Sequence, residues 1–94
     1  MTRFVKAAHN VTRSSAVAEL FGQRLRELRH TAGLTQEALA DRAGLPHTHI
    51  SAMERGIKLP NLLTLLRLAV ALDCKVAKLV RVFDETKLSS ILSK

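Results

Sequence analysis

The chain has 94 residues and a mass of 10.4 kDa, enough for one small domain and too little for most elaborate enzymes. Hydrophobic residues make up 47% of it but aromatic ones only 3%, so its core must be built from Leu, Ala, Val and Ile, which favours packed helices over a sheet sandwich. Fifteen Lys and Arg against eight Asp and Glu give a net charge of +7, which points to a polyanionic partner, nucleic acid or an anionic membrane surface.

Residues 1–14 show no sustained periodicity and carry Arg3, Lys6 and Arg13 with no acid, the pattern of a flexible basic arm. Ser14 or Ser15 then offers an N-cap for a helix from about Ala16 to Thr31, with Val17, Phe21, Leu25 and Leu28 on one face and Gly33 beyond its end. Thr35 caps a short second helix, Gln36 to Arg42, with Glu37 complementing the helix dipole and Leu39 and Ala40 facing inward. After Gly44 a third helix runs from Pro46 or His47 to Arg55, with Ile50 and Met53 on its apolar side and Gly56 ending it. Pro60-Asn61 starts a fourth helix, about Leu62 to Leu72, with Leu62, Leu65, Leu66, Ala69 and Leu72 at helical spacing. A fifth, Lys75 to about Phe83, repeats the pattern through Val76, Leu79, Val80 and Phe83, and a weaker amphipathic tail follows with Leu88, Ile91 and Leu92. The expectation is an all-α, compact five-helix domain: arm 1–14, helical domain 15–83, tail 84–94.

Charge is unevenly placed along these elements. Residues 19–54 hold four basic and five acidic residues, whereas 55–81 hold Arg55, Lys58, Arg67, Lys75, Lys78 and Arg81 against Asp73 alone. Two basic blocks therefore flank a nearly neutral middle.

Several chemistries are disfavoured by spacing. The single cysteine, Cys74, closes no internal disulfide and fits a reducing cytoplasm. No run approaches the 18 or so apolar residues of a spanning helix, and no apolar stretch near the N-terminus reads as a signal peptide. His47 and His49 stand two apart on a helix and point to different sides, so they do not share a metal. Ser51 lies one turn from His47, but no acid orients the pair for nucleophilic work. The four glycines read as helix terminators or turn residues rather than a phosphate-binding loop. The reading is a non-enzyme with no metal and no cofactor.

The informative stretch is Gln36 to Glu54: a short helix, a glycine turn and a second short helix. Ala40 must be small where the second helix crosses it, and Gly44 takes a turn conformation that costs any residue with a Cβ about 1–2 kcal/mol. Leu39, Leu45 and Ile50 lock both helices to the core, leaving the outer face of the second free for a major groove. Together with Phe21-Gly22-Gln23-Arg24-Leu25-Arg26-Glu27-Leu28-Arg29, Gly33-Leu34-Thr35-Gln36-Glu37, Leu39-Ala40, Ile50-Ser51, Met53-Glu54-Arg55-Gly56 and Pro60, this stretch resembles the phage-repressor (Cro/repressor-type, Xre-like) helix-turn-helix regulators over about residues 20 to 80.

That resemblance implies a sequence-specific double-stranded DNA-binding regulator, a repressor acting as a homodimer in the cytoplasm. It implies base contacts from His47, Thr48, Ser51 and Ala52, and phosphate contacts from Thr35, Gln36, Arg55 and Lys58, with Gln36 also bracing a reader on the next helix. It further implies a structural ion pair between Arg29 and Glu54. The sequence departs from the family where Pro46 replaces a small hydroxyl cap, and in a recognition helix without Lys or Arg before Arg55. A bidentate Arg–guanine contact is thus missing from its outer face, leaving His, Ser and Thr hydrogen bonds, methyl contacts and DNA shape. Val80, Phe83, Leu88 and Ile91 exceed what the core needs and are expected at the dimer interface. Arg3, Lys6 and Arg13 are expected to follow the backbone or reach the minor groove, with Arg3 the one to insert. The competing expectation is an antitoxin-like or bridging module on the same fold, with a protein partner such as a cognate toxin.

Overall fold

A computed structural model describes the backbone of residues 2–92 and the side chains of residues 16–92. Its helices are α1 (Thr2–Thr31), α2 (Gln36–Ala43), α3 (His47–Glu54), α4 (Leu62–Ala71), α5 (Val76–Val80) and α6 (Leu88–Leu92), with a 3-10 turn at Arg81–Phe83 continuing α5. No strand occurs among the described residues, so the all-α architecture is as expected. Two of the expected caps act where the sequence placed them. Thr35 Oγ1 accepts from the Ala38 amide at 3.0 Å to start α2, and Asn61 Oδ1 accepts from the Thr64 amide at 2.8 Å to start α4. Pro46 precedes α3 with an extended backbone and offers no capping oxygen; its own carbonyl accepts from the His49 amide at 3.0 Å. Gly44 closes α2 at φ 68°, ψ 35°, a left-handed conformation that favours glycine at this turn.

Three features differ from the sequence reading. First, α1 begins at Thr2 rather than near Ala16, so Ser14 and Ser15 lie inside a helix and not at its N-cap. No Gly or Pro precedes Gly22, and two interior serines disfavour a helix by only about 0.5 kcal/mol each. The side chains of Arg3, Lys6 and Arg13 lie outside the described residues. Second, Gly22 is no terminator: it is buried in the middle of α1. A Cβ there would run into the Met53 carbonyl oxygen and sit 2.9 Å from that of Glu54, so the missing side chain is what lets α1 and the end of α3 approach.

Third, α4 buries only part of its expected stripe: Ala69 and Leu72 lie in the core and Leu65 packs against it, but Leu62 and Leu66 do not. The core joins Phe21 and Leu25 of α1, Leu39, Ala40 and Ala43 of α2, Ile50 and Met53 of α3, Leu68, Ala69 and Ala71 of α4, Leu72 just after it, and Leu79 of α5. Leu62 and Leu66, which share helical spacing with core residues, are instead exposed, together with Leu63 and Val70. An element apolar almost all round has no polar face to fix its rotation, and the small Ala69 and Ala71 beside Leu68 give the closer fit against the bundle. Val80 and Phe83 are half-buried and pack against the core, while α6 lies against α1 with Ile91 half-buried and Leu88 and Leu92 exposed. No helix among the described residues is long and apolar enough to cross a membrane.

Candidate nucleic-acid interface

The two-helix unit is held from beneath and left open above. Leu39, Ala40 and Ala43 of α2 and Ile50 and Met53 of α3 are buried, and Leu45 in the turn packs half-buried against them. Burying a side chain such as Leu39 or Ile50 contributes about 1.5–3 kcal/mol each, so the angle between the two helices is set by the core. On the outside of α3, His47 and Thr48 are exposed and Ser51 and Ala52 half-buried, with His49 half-buried on another side. Thr35, Arg55 and Lys58 are exposed around the rim. Arg55 folds back so that its Nε donates to the Ser51 carbonyl at 3.4 Å.

Beneath the outer face of α3 runs a connected polar chain. Arg29 of α1 donates from Nε to Glu54 Oε2 at 2.5 Å and from Nη2 to Glu54 Oε1 at 2.9 Å, a two-pronged pair at the end of α3. Both side chains are nearly removed from solvent, at 8% and 3% exposure. Arg29 Nη1 donates to the Leu34 carbonyl at 2.7 Å, and Nη2 also lies 3.3 Å from His30 Nε2, which must accept because a guanidinium only donates. Burial pushes the Glu54 carboxyl up, but hydrogen bonds from Arg29 and Gln36 and the charges of Arg29 and Arg26 outweigh it and hold it below its ordinary value. Arg29 is raised in turn, chiefly by its hydrogen bond to Glu54.

Gln36, the first residue of α2, extends this chain to the surface. Its Nε2 donates to Glu54 Oε1 at 3.0 Å and its Oε1 lies 3.3 Å from His47 Nε2, at the first residue of α3. A line of side chains thus runs from α1 through the end of α3 and the start of α2 to the exposed start of α3. No buried side-chain nitrogen or oxygen among the described residues is left without a partner.

Two contributions were not singled out in the sequence. Arg67, the lone charge inside the apolar run of α4, reaches back so that Nη1 lies 3.4 Å from the Gly44 carbonyl in the turn, its guanidinium exposed beside the two-helix unit. Its isolation in that run was the signal available. The exposed row Leu62, Leu66 and Val70, with Leu63 alongside, is the other. Val80 and Phe83, expected at a free surface, are instead largely spent on the core. Among the described residues, no group of three or more His, Cys, Asp or Glu is placed to hold a metal ion.

Residues 20–82 match the family described as Helix-turn-helix domain. An uncharacterised HTH-type transcriptional regulator of Sinorhizobium fredii is 40% identical over 68 residues, which cover 72% of this chain and 88% of the relative. The control protein C.SmaI of Serratia marcescens is 38% identical over 64 residues, 68% of this chain and 76% of that protein. Among solved structures, the restriction-modification controller protein C.AhdI from Aeromonas hydrophila superposes with a TM-score of 0.67 at 45% identity, over 68% of this chain and 97% of that one.

Proposed function

The chain belongs to the helix-turn-helix domain family and is a DNA-binding transcriptional regulator related to restriction-modification controller proteins, and we propose that it represses transcription in the cytoplasm as a homodimer reading the major groove through α3. The observation that carries this reading is the outer face of α3. His47, Thr48, Ser51 and Ala52 offer hydrogen-bonding and methyl groups on a helix whose inner face is locked into the core, with Arg55 and Lys58 beside it for phosphates. One module of this size reads few base pairs, so two copies on half-sites about one helical turn apart supply the specificity a single copy lacks. The row Leu62, Leu66 and Val70 on α4 is an apolar surface for such a second copy, more open than Val80 and Phe83.

The controller proteins among its relatives make DNA upstream of neighbouring restriction or methyltransferase genes the first place to seek an operator. Gel-shift titration with that DNA, for the wild-type chain and for Thr48→Ala and Ser51→Ala, tests the reading. Each substitution should relax base preference at the position it reads, at a cost of about 1–3 kcal/mol, whereas Lys58→Ala should weaken all sequences alike. Unchanged affinity and preference in both α3 variants would place the site elsewhere.

A further inference from the structure

The hydrogen-bond chain from Glu54 to the start of α3 has a direction, and we propose that this direction makes His47 an acceptor toward DNA that selects adenine or cytosine over guanine or thymine at one position of each half-site. The proposal rests on α3 being the base-reading helix and adds which class of base one residue reads.

Each link follows from what its atoms can do. A carboxylate only accepts, so Gln36 must turn its amide nitrogen toward Glu54 Oε1, where it lies at 3.0 Å. The opposite orientation would set the amide oxygen against a carboxylate that two nitrogens of Arg29 already hold in place. With its nitrogen committed, Gln36 presents its carbonyl oxygen to His47 Nε2 at 3.3 Å. An amide oxygen only accepts, so His47 Nε2 carries the hydrogen. In a neutral imidazole the other nitrogen is then a lone-pair acceptor. Nδ1 makes no hydrogen bond among the described residues, and His47 is exposed at the first position of α3, where readers of this fold enter the groove.

An acceptor in the major groove finds a donor only at the exocyclic amines, N6 of adenine and N4 of cytosine. Guanine and thymine offer O6, N7 and O4, which are acceptors and repel it. His47 therefore discriminates amino bases from keto bases on the strand it faces, the reverse of what an Arg at the same place would select. Its choice is set by Glu54, two helical turns away on the far side of Gln36.

Two measurements on the full chain test this. The first needs no DNA: nitrogen-detected NMR of the imidazole rings reports which nitrogen of His47 is protonated in the neutral form. The Nε2–H form should dominate in the wild-type chain and give way to a mixture in Gln36→Met, which removes the relay and leaves the Arg29–Glu54 pair. A dominant Nδ1–H form in the wild-type chain overturns the proposal. The second is selection from a duplex library randomised over about 20 base pairs, long enough for two half-sites a turn apart. The recovered sites should hold one position per half-site restricted to adenine or cytosine, with keto bases disfavoured about tenfold. In His47→Ala that position alone should lose its restriction. Guanine or thymine at the position His47→Ala alters, or a uniform loss of affinity showing that His47 touches phosphate, overturns the assignment while leaving α3 as the reader. Recovery of no preferred site removes the reading of α3 and this proposal together.

Discussion

Replacing Arg29 by Met strands the carboxylate of Glu54 in the seam between α1 and α3. The side chain of Glu54 is 3% exposed and would keep a single hydrogen bond, from Gln36, while the Leu34 carbonyl would lose the Arg29 Nη1 donor. Breaking a buried pair from one side costs roughly 3–5 kcal/mol, a large share of the about 5–15 kcal/mol that holds a small domain folded. Glu54→Gln keeps the shape and one acceptor but strands the guanidinium, so it should fall at the lower end of that range. Arg29→Met with Glu54→Leu removes both charges and should lie within about 2 kcal/mol of the wild-type chain. Urea melts of the four proteins, read as midpoints at constant slope, measure the three losses. A loss under about 1 kcal/mol for Arg29→Met is what an exposed pair would give, and would refute the burial on which the reasoning stands.

The same pair sets an acid limb. The Glu54 carboxyl titrates below its ordinary value of 4.5 in the folded chain, so the unfolded chain takes up the proton first as pH falls. Its stabilisation is complete above that ordinary value and is lost as pH drops through the depressed one. Glu54→Gln should therefore lose stability at neutral pH and show a flatter decline in acid. An acid limb identical to that of the wild-type chain would contradict the shift.

Gly22→Ala should lower the melting temperature: a better helix former gains about 1 kcal/mol, but the added Cβ meets the backbone of α3 at a cost of about 1–3 kcal/mol, and a raised melting temperature would show that the helices are not so close. Leu66→Asp with Val70→Lys should leave the fold intact, because both side chains are exposed, yet shift a dimer to monomer in sedimentation at micromolar concentration; an unaltered dimer places the interface elsewhere. Phe83→Asp is no clean test of the interface, since Phe83 packs against the core and its loss would unsettle the monomer. The joint substitution of Arg3, Lys6 and Arg13 by Ala should reduce the salt slope of DNA binding by about 2.7 units if three phosphates are contacted, and an unchanged slope means the segment stays off the DNA.

Legibility from sequence followed the range of the forces involved. Helix boundaries that depend on one or two neighbours, such as Thr35, Gly44 and Asn61, were readable because a cap or a left-handed glycine acts within a few residues. The inward positions of α2 and α3 were readable because polar residues mark the opposite side of each helix. The start of α1 was not, because the basic segment carries too little apolar surface to mark a helix, yet nothing in it breaks one. The close approach at Gly22 and the exposure of Leu62 and Leu66 depend on which backbone or side chain lies across the seam, and no spacing in the chain records that. The relay at Gln36 escaped for a related reason: the family resemblance implied a brace from this residue to a reader, but its hydrogen-bond direction appears only with Glu54 in place.

On the reading proposed above, α3 carries no Lys or Arg before Arg55 and discriminates through hydrogen bonds and methyl contacts, which act only when held at the right distance and angle. Arg29 and Glu54 therefore serve two ends, holding α1 to α3 and fixing the amide of Gln36 that orients His47. The two are separable. In Arg29→Met with Glu54→Leu the apolar replacements should restore most of the fold, but Gln36 loses its anchor and is free to turn either end toward His47. The double variant should then melt within about 2 kcal/mol of the wild-type chain yet bind amino and keto bases at the His47 position nearly alike, while the positions read by Thr48 and Ser51 keep their preference. Selection from the same randomised duplex library, run beside the urea melt, measures both quantities. A double variant that is stable and still discriminates at that position would show that Glu54 is scaffold alone.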